Sequence, residues 1–254
     1  MRARVVAALL LVVALTAACT GSAQRTDVEP DAPTVQGSPD ETAAEPVQPS
    51  ADPTISPVPP DQWDAMVSVG MVRPGCPVQR RGQLRRIDIG FIDFDGTAQR
   101  GHLIVNRDTA RSFVRIFTAL FDARFPIASM TGVESFGGDT NASLRANNTS
   151  AYNCRRLDQI NAPPLESPHA NGRSVDINPV QNPWMDLRCD CWVPGKRNSA
   201  RTPGPGKILP GDEVVRLFEA EGWIWQNIKV PDYMHFDTGY PSVPYERPAR
   251  TTTP

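Results

Sequence analysis

Two short stretches of the chain contain side chains that could hold a metal ion. Residues 167–179 include His169 and Asp176, and residues 232–236 include His235 beside a second aspartate. The chain has only three histidines, so two of them lie near carboxylates in these stretches. Histidine nitrogen and carboxylate oxygen are the ligands of catalytic zinc sites. The composition of the two stretches therefore predicts a zinc site.

The residue types also predict a role for each side chain. A catalytic zinc takes three protein ligands and keeps a fourth position for water, whose pKa it lowers toward neutrality. We predict that His169, Asp176 and His235 are the three ligands. Asp232, three residues before His235, could then take a proton from the water and pass it to the leaving group. Histidine and carboxylate ligands suit several divalent ions, so the residue types alone do not fix the metal.

The neighbours of the predicted ligands indicate how the chain positions them. Asp176 and His235 each have an apolar residue on both sides. Strands with this alternation turn the ligand to one face and the apolar side chains to the core. Gly172 lies between His169 and Asp176, where a turn could bring the two ligands together.

Other periodic segments predict the rest of the domain. Apolar and polar or small residues alternate over residues 87–91, a turn signal follows, and the apolar residues 103–105 could form the returning strand. This pattern predicts a β-hairpin. A helix capped by Asp108 should follow, and a second helix should begin at Asp212 and end at Gly222. We therefore predict an α+β fold, in which an antiparallel sheet carries the metal site and helices pack on its other side.

The two motifs resemble those of a known family. Ser-x-His-x-x-Gly-x-x-x-Asp followed by Asp-x-x-His resembles the VanY-like zinc D-alanyl-D-alanine carboxypeptidases and L-alanyl-D-glutamate endopeptidases of bacterial cell walls. The resemblance extends over residues 76–237 and includes smaller motifs in the same order. It implies a hedgehog/DD-peptidase-like fold, with His169, Asp176 and His235 as zinc ligands and Asp232 as the catalytic base.

The resemblance also assigns residues that the chemistry alone did not. Arg155 matches the family's arginine that stabilises the developing oxyanion, and Arg156 is the neighbouring alternative. Ser167 matches the motif serine, which orders the first ligand or contacts the substrate. The chain departs from related sequences at Ser174, where a small residue is usual, and at residues 226–229, which replace a glycine pair and a tryptophan. These departures leave the wall of the substrate cleft, and hence the cleaved peptide, open.

The N-terminus resembles a bacterial lipoprotein signal. Arg2 and Arg4 precede an apolar run, residues 5–18, that is too short to span a bilayer comfortably. Small residues lie just before Cys19, which would become the lipidated first residue of the mature protein. We therefore predict a signal peptide at residues 1–18 and an anchor on the outer face of the cytoplasmic membrane. Secretion without an anchor is the alternative.

Residues 19–60 are predicted to form a disordered tether. Nine of the chain's 26 prolines fall in this segment, with seven acidic residues, one arginine and almost no large apolar side chains. Residues 61–254 should form a single domain, which we expect to be monomeric. The whole chain carries a net charge of −2, to which residues 19–60 contribute −6 and residues 1–18 contribute +2, so this domain carries +2 and is nearly neutral. No basic run within it indicates nucleic-acid binding.

Five cysteines in an exported chain indicate disulfides. Cys76 and Cys154 both lie in the region of family resemblance, and on that basis we predict that they pair. A reactive Cys154 thiolate is a less favoured interpretation, because the zinc motif already provides an activated water. Cys189 and Cys191 are separated by one residue, so a bridge between them would be strained and their pairing stays open.

Aromatic residues flank both motifs. Most such side chains belong to the core, but one or two could line a groove for a peptide, and we take Trp223 and Tyr233 as the candidates. Residues 186–210 are predicted to form a long loop near the site, with no assigned role. The third histidine, His102, lies outside every motif and is predicted to be a surface or packing residue.

Together these observations predict a zinc peptidase that cleaves peptidoglycan stem peptides, most directly a D-alanyl-D-alanine carboxypeptidase. One alternative keeps the substrate and changes the bond, giving an L-alanyl-D-glutamate endopeptidase. A second alternative is a non-catalytic, zinc-stabilised module that binds wall peptides. Asp232 favours an enzyme, because a pure binding module needs no base beside its metal.

Overall fold

The structure is a computed structural model that describes residues 49–156, 159, 164–226 and 229–249. The predicted signal peptide, Cys19 and most of the predicted tether lie outside the described residues. Over the described ranges, no helix has the length and apolar character needed to cross a membrane.

The described part of the chain contains both helices and strands. The helices are α1 (Pro60–Ser68), α2 (Ala110–Asp122), α3 (Thr140–Arg145), α4 (Pro168–Asn171) and α5 (Glu213–Ala220). The strands are β1 (Thr54–Ser56), β2 (Leu84–Ile92), β3 (Ala98–Asn106), β4 (Ser129–Met130), β5 (Asn148–Thr149), β6 (Ser174–Asp176), β7 (Trp184–Asp186), β8 (Cys191–Val193), β9 (Ile224–Trp225) and β10 (His235–Asp237).

The first sheet has the order β1-β2-β3, and all its pairs are antiparallel. The predicted hairpin is confirmed as β2 and β3, which pair along their whole length. The predicted boundary at residue 61 is wrong, because β1 pairs with β2 and Val58 is fully buried. Prolines flank β1, and they are tolerated there because β1 lies at the edge of the sheet.

Helix α2 packs against this sheet as its periodicity predicts. The predicted cap is wrong: the helix follows Thr109, and no side chain caps it. Asp108 instead accepts two hydrogen bonds from Arg173, at 2.9 and 2.7 Å, and so ties the turn before α2 to the metal-binding motif. The side chains that α2 buries in the core include Phe113, Ile116, Phe117 and Leu120.

The second sheet has the order β6-β10-β9 and contains two of the predicted ligands. Its strands are antiparallel, and His235 of β10 lies directly opposite Asp176 of β6. On the reverse face, Phe236 is fully buried and stacks on Phe218 of α5, with ring centroids 3.9 Å apart. The sheet therefore has the predicted ligands on one face and a helix on the other, and the α+β prediction is confirmed.

Two disulfides are formed among the described residues. Cys76 and Cys154 are bonded and almost fully buried, as predicted, so Cys154 is not a free thiolate. Cys189 and Cys191 are also bonded, although their separation by one residue had argued against it. Asp190 has a left-handed backbone, with φ of 50°, in the turn between β7 and β8, and the two cysteine Cα atoms are 5.2 Å apart.

Candidate metal centre

The three predicted ligand atoms converge at one point of the fold. His169 Nε2 lies 3.1 Å from Asp176 Oδ1 and 3.0 Å from His235 Nδ1. His235 Nδ1 lies 2.9 Å from Asp176 Oδ1. The side chains are 5%, 7% and 10% exposed for His169, Asp176 and His235 respectively. Within the described residues, this is the one group of three such side chains close enough to share an ion.

Helix α4 carries His169 toward the second sheet. Ser167 begins the helix, and its Oγ accepts a hydrogen bond from the backbone N–H of Ala170 at 3.4 Å. Pro168 follows at the first helical position, where its missing N–H costs nothing. Ser167 therefore orders the helix that carries His169. Ser167 also lines the cavity that contains the cluster.

Gly172 ends this helix and turns the chain into β6. Its φ is +70°, a left-handed conformation that favours glycine. A Cβ atom added there would lie 2.6 Å from the backbone nitrogen of Asn106. The turn predicted between His169 and Asp176 is confirmed. Both the left-handed backbone of Gly172 and its close approach to Asn106 of β3 require glycine at this position.

Hydrogen bonds to the outer ring nitrogens fix both imidazoles. His169 Nδ1 donates to the Ala151 carbonyl at 2.7 Å, and His235 Nε2 donates to Asp237 Oδ2 at 3.0 Å. The inner nitrogens, with Asp176 Oδ1, then present three acceptor atoms to one another. Such a cluster needs a positive charge among its atoms, which a proton on His235 can supply, and a metal ion can satisfy all three acceptors at once.

The geometry of the cluster fits zinc. Zinc bonds of about 2.0–2.1 Å in a tetrahedral arrangement place ligand atoms about 3.3 Å apart. The three separations found here, between 2.9 and 3.1 Å, are slightly shorter than that. Two imidazole nitrogens and one carboxylate oxygen are also a ligand set of known catalytic zinc sites.

The same contacts shift the ionisation of the cluster. Burial alone would lower the pKa of His235, but hydrogen bonds to Asp176 and Asp237 outweigh it and raise the pKa to about 10. Burial alone would raise the pKa of Asp176, but the two histidines hold it below its ordinary value. The carboxylates of Asp176 and Asp237 therefore favour a positive charge at this buried position, which a proton on His235 or a bound cation can supply.

Asp232 lines the same cavity, and one of its carboxylate oxygens has no hydrogen-bond partner among the described residues. This oxygen, Oδ1, is buried. Burial raises the pKa of Asp232 to about 7, and the positive charges of His235 and Arg155 oppose this rise. Asp232 thus has a free carboxylate oxygen that can accept a proton near neutral pH.

Arg155 lies on the wall of this cavity, and Arg156 does not. The Nε atom of Arg155 is buried, with no hydrogen-bond partner among the residues described. Arg156 instead donates to the Gly137 carbonyl, at 3.2 Å. Arg73 donates to the carbonyl oxygens of Cys154 and Arg155, at 2.9 and 2.6 Å, and so holds this backbone in place. Of the two arginines proposed from the sequence, Arg155 is the one that lines the cavity.

The cluster lies in a cavity of about 790 Å³. Its polar lining includes Arg155, His169, Asp232 and His235. One wall is formed by β7 and the turn after it, and this turn belongs to the region of residues 186–210 that had no assigned role. The volume suits a ligand the size of a short peptide.

Trp223 does not contact this cavity, and its prediction as a substrate-binding residue is wrong. Its side chain is only 2% exposed and packs edge-on against Phe113, with ring centroids 4.8 Å apart. Its Nε1 atom donates to Ser112 Oγ at 2.9 Å. The chain turns at Gly222, where φ is +81°, and Trp223 enters the core between α2 and α5.

Tyr233 is also absent from the cavity lining among the described residues. Its ring stacks on Trp192 of β8, with centroids 5.6 Å apart, and the Arg201 guanidinium lies 4.2 Å from its centroid. Tyr233 therefore holds the β7–β8 hairpin against the motif that contains His235. It supports a wall of the cavity from outside the lining, so the structure does not support its prediction as a substrate-binding residue.

Asp237 has a role that the sequence analysis did not assign. It is buried, and its Oδ2 atom accepts hydrogen bonds from both His235 Nε2 and Gln226 Nε2. The available signal was its spacing, because residues two apart on a strand share one face. Asp237 orients the ligand His235 and increases its basicity.

A buried centre of two histidines and one aspartate, with a free carboxylate and an arginine above it, is characteristic of metal-dependent hydrolases. Residues 161–238 match the sequence model of a peptidase family described as D-alanyl-D-alanine carboxypeptidase. The resemblance to the VanY-like peptidases is thereby confirmed for the segment that contains His169, Asp176, Asp232 and His235. Comparisons with curated proteins and with solved structures gave no significant match.

Proposed function

We propose that the protein is a zinc-dependent peptidase of peptidoglycan stem peptides, most directly a D-alanyl-D-alanine carboxypeptidase with a hedgehog/DD-peptidase-like fold. The observation that carries the proposal is the convergence of three acceptor atoms of His169, Asp176 and His235, in a cavity that the free Oδ1 atom of Asp232 also lines. The family match over the same segment supports the peptidase chemistry.

Each residue has a part in the hydrolysis. His169, Asp176 and His235 hold the zinc, which when bound supplies the Lewis acidity that makes water nucleophilic near neutral pH. Asp232 accepts the proton that the attacking water loses and delivers it to the nitrogen of the leaving residue. Arg155 donates to the substrate carbonyl oxygen as negative charge develops on it.

The electrostatics of the site support these roles. A dication on the cluster would lower the pKa of Asp232 from about 7, so the carboxylate would be ready to act as a base. Arg155 needs no large movement to meet a substrate, because its Nε atom is already buried beside the cavity and has no partner among the described residues.

The cavity also supports a longer substrate. Its volume of about 790 Å³ exceeds what one terminal alanine would fill. An L-alanyl-D-glutamate endopeptidase acting on the same stem peptides is therefore the second candidate. A zinc-stabilised module that binds wall peptides without cutting them would leave the unpartnered Asp232 unexplained.

Mass spectrometry of purified muropeptides tests the proposal. The zinc-loaded protein should release a terminal D-alanine, and protein treated with a chelator should release none. Cleavage between the first two stem residues would instead establish the endopeptidase. Peptide binding without cleavage by the zinc-loaded protein would contradict the enzyme and favour the binding module.

The proposal also includes the location of the enzyme. Cys19 lies outside the described residues, and lipidation there would hold the protein at the outer face of the cytoplasmic membrane, close to its substrate. Without lipidation the protein would be secreted.

A further inference from the structure

A second cavity adjoins the one that contains the cluster. The two have volumes of about 70 and 790 Å³, and we call them the small and the large cavity. They meet at four residues that line both, which are Arg155, Trp184, Arg188 and Asp232. The cluster is divided between them, because His169 and His235 line the large cavity and Asp176 lines the small one. The candidate metal centre therefore borders both cavities.

Helix α3 forms one wall of the small cavity. Asn141 and Leu144 of this helix line it, and Leu144 is buried whereas Asn141 is exposed. Asp139 caps the helix through a hydrogen bond of 3.0 Å. Ser143 Oγ accepts a hydrogen bond from Asn148 Nδ2 at 3.0 Å, which ties the helix to β5. This wall therefore has a defined position, as a specificity determinant requires.

The charged side chains of the small cavity are two arginines and two aspartates, Arg155, Arg188, Asp176 and Asp232. The aspartates already have roles in the proposed mechanism, as a zinc ligand and as the base. Arg188 donates to Asp186 through Nε and Nη2, and the Nε atom of Arg155 is buried without a partner among the described residues. The two arginines are therefore the side chains that could donate to a carboxylate in this cavity.

The two volumes distinguish the two sides of a cleaved bond. At about 30 Å³ per water molecule in the liquid, the small cavity has the space of two or three waters. This is enough for the methyl and carboxylate groups of one alanine but not for a peptide. A carboxypeptidase divides its substrate into one small residue and a long acyl part. A substrate held at the metal centre can therefore direct only the small residue into the small cavity, and the acyl part must lie in the large one.

We propose that the small cavity receives the released residue, and that Leu144 and Asn141 restrict this residue to the size of alanine. The inference rests on the proposed carboxypeptidase function. It also favours that function over the endopeptidase, because the leaving part of an endopeptidase substrate is several residues long and would not fit.

Two tripeptides that differ only in their last residue test the proposal. They are Nα,Nε-diacetyl-Lys-D-Ala-D-Ala and Nα,Nε-diacetyl-Lys-D-Ala-D-Leu, each incubated with the zinc-loaded protein. Leucine has three more side-chain carbons than alanine, so we expect kcat/KM to be about 100-fold lower for the peptide that ends in D-leucine.

Leu144→Ala should relax this preference. The substitution removes three carbons from the wall, as many as D-leucine adds, so kcat/KM for the D-leucine peptide should rise about tenfold. Such a gain of activity would not result from damage to the fold. Leu120→Ala, in α2, is the matched control, because Leu120 is also buried but lines neither cavity, and it should keep the full preference.

Asn141→Trp should have the opposite effect, because the larger side chain would fill the small cavity. The rate of D-alanine release should fall about tenfold while each chain still holds one zinc. Because Asn141 is exposed, the variant should fold normally. Arg145→Trp is the control, because Arg145 is an exposed residue of the same helix that lines neither cavity, and it should keep full activity.

The outcomes separate the two proposals. Equal cleavage of both tripeptides by the unaltered protein, an unchanged preference in Leu144→Ala, or an unchanged rate in Asn141→Trp would overturn the small-cavity proposal alone. If Leu144→Ala did not fold, Asn141→Trp would decide. If the zinc-loaded protein cleaved neither peptide, the carboxypeptidase function itself would be overturned, and the small-cavity proposal with it.

Discussion

At the scale of single residues, the site depends on the hydrogen-bond partners of the two histidines in the cluster. Each histidine ligand offers its inner nitrogen to the cluster because its outer nitrogen donates elsewhere, to the Ala151 carbonyl or to Asp237. The residue types in the two motifs were sufficient to predict which three side chains converge. They were not sufficient to predict Asp237, whose function appears only when its distance from His235 is known.

Asp237→Ala should weaken zinc binding. Loss of the carboxylate leaves His235 less basic and free to rotate, and such changes typically cost 10–100-fold in metal affinity. Competition with a chromogenic chelator measures this directly. Asp88→Ala is the control, because Asp88 pairs with Arg86 on β2 and does not contact the cluster. Equal affinities for Asp237→Ala and the unaltered protein would contradict the orienting role.

Gly172→Ala should destabilise the protein by about 2 kcal/mol or more, because a left-handed backbone and a close contact penalise the new methyl group together. The added Cβ would lie 2.6 Å from Asn106 N, and urea unfolding gives the change in free energy. Gly75→Ala separates the two effects, because Gly75 also has a positive φ, of +90°, but nothing lies within 4 Å of its added Cβ. If both variants lost the same stability, the close contact would not matter.

At the scale of elements, local periodicity predicted the segments whose structure is set by their own sequence. The β2–β3 hairpin, helix α2, helix α5 and strands β6 and β10 lie where alternation or helical spacing placed them. Strand β1 was missed because it has three residues among prolines, and its stability comes from pairing with a distant strand.

Tertiary packing decided the remaining features of the site. An aromatic residue beside a motif can face the core or the groove, and the sequence did not distinguish them for Trp223 or Tyr233. The bond between Cys189 and Cys191 likewise depends on a left-handed Asp190, which composition does not reveal.

His102, on β3, should make the stability of the fold depend on pH. Burial, with a smaller contribution from the charge of Arg86, lowers its pKa to about 4. Its Nε2 atom accepts from Gly132 N at 3.2 Å and lies 3.0 Å from Gln62 Nε2, so a proton there would face other donors. The prediction of a packing residue outside the metal site agrees with these contacts.

The direction of this dependence follows from the two pKa values. Below about pH 6.5 the unfolded chain binds a proton at His102 that the folded protein does not bind until about pH 4. The free energy of unfolding should therefore fall as the pH decreases through this window. The loss should be about 1–2 kcal/mol, after allowance for partial exposure.

Urea unfolding of His102→Gln and the unaltered protein, at pH 7 and pH 4.5, tests this effect. The variant should lose less stability between the two pH values, because glutamine takes up no proton. The difference between the two proteins removes the contribution of the carboxylates that titrate in both. Identical pH dependence would show that His102 contributes nothing to it.

At the scale of the whole molecule, the predicted anchor and the catalytic domain have separate tasks. The domain is nearly neutral, so its predicted placement at the membrane relies on Cys19 and not on its surface charge. Cells supplied with radiolabelled fatty acid should label the protein, and Cys19→Ala should abolish the label. Equal labelling of both, or of neither, would exclude lipidation at this residue.

The most direct test of zinc-dependent catalysis compares Asp232→Asn with the unaltered protein at equal zinc content. Asparagine has nearly the same shape as aspartate but cannot take up the proton, so the rate of D-alanine release should fall by a factor of about 10²–10⁴. Each protein should still hold one zinc per chain, because Asp232 is not a ligand. An unchanged rate in Asp232→Asn, or full activity after removal of zinc, would contradict the proposed mechanism.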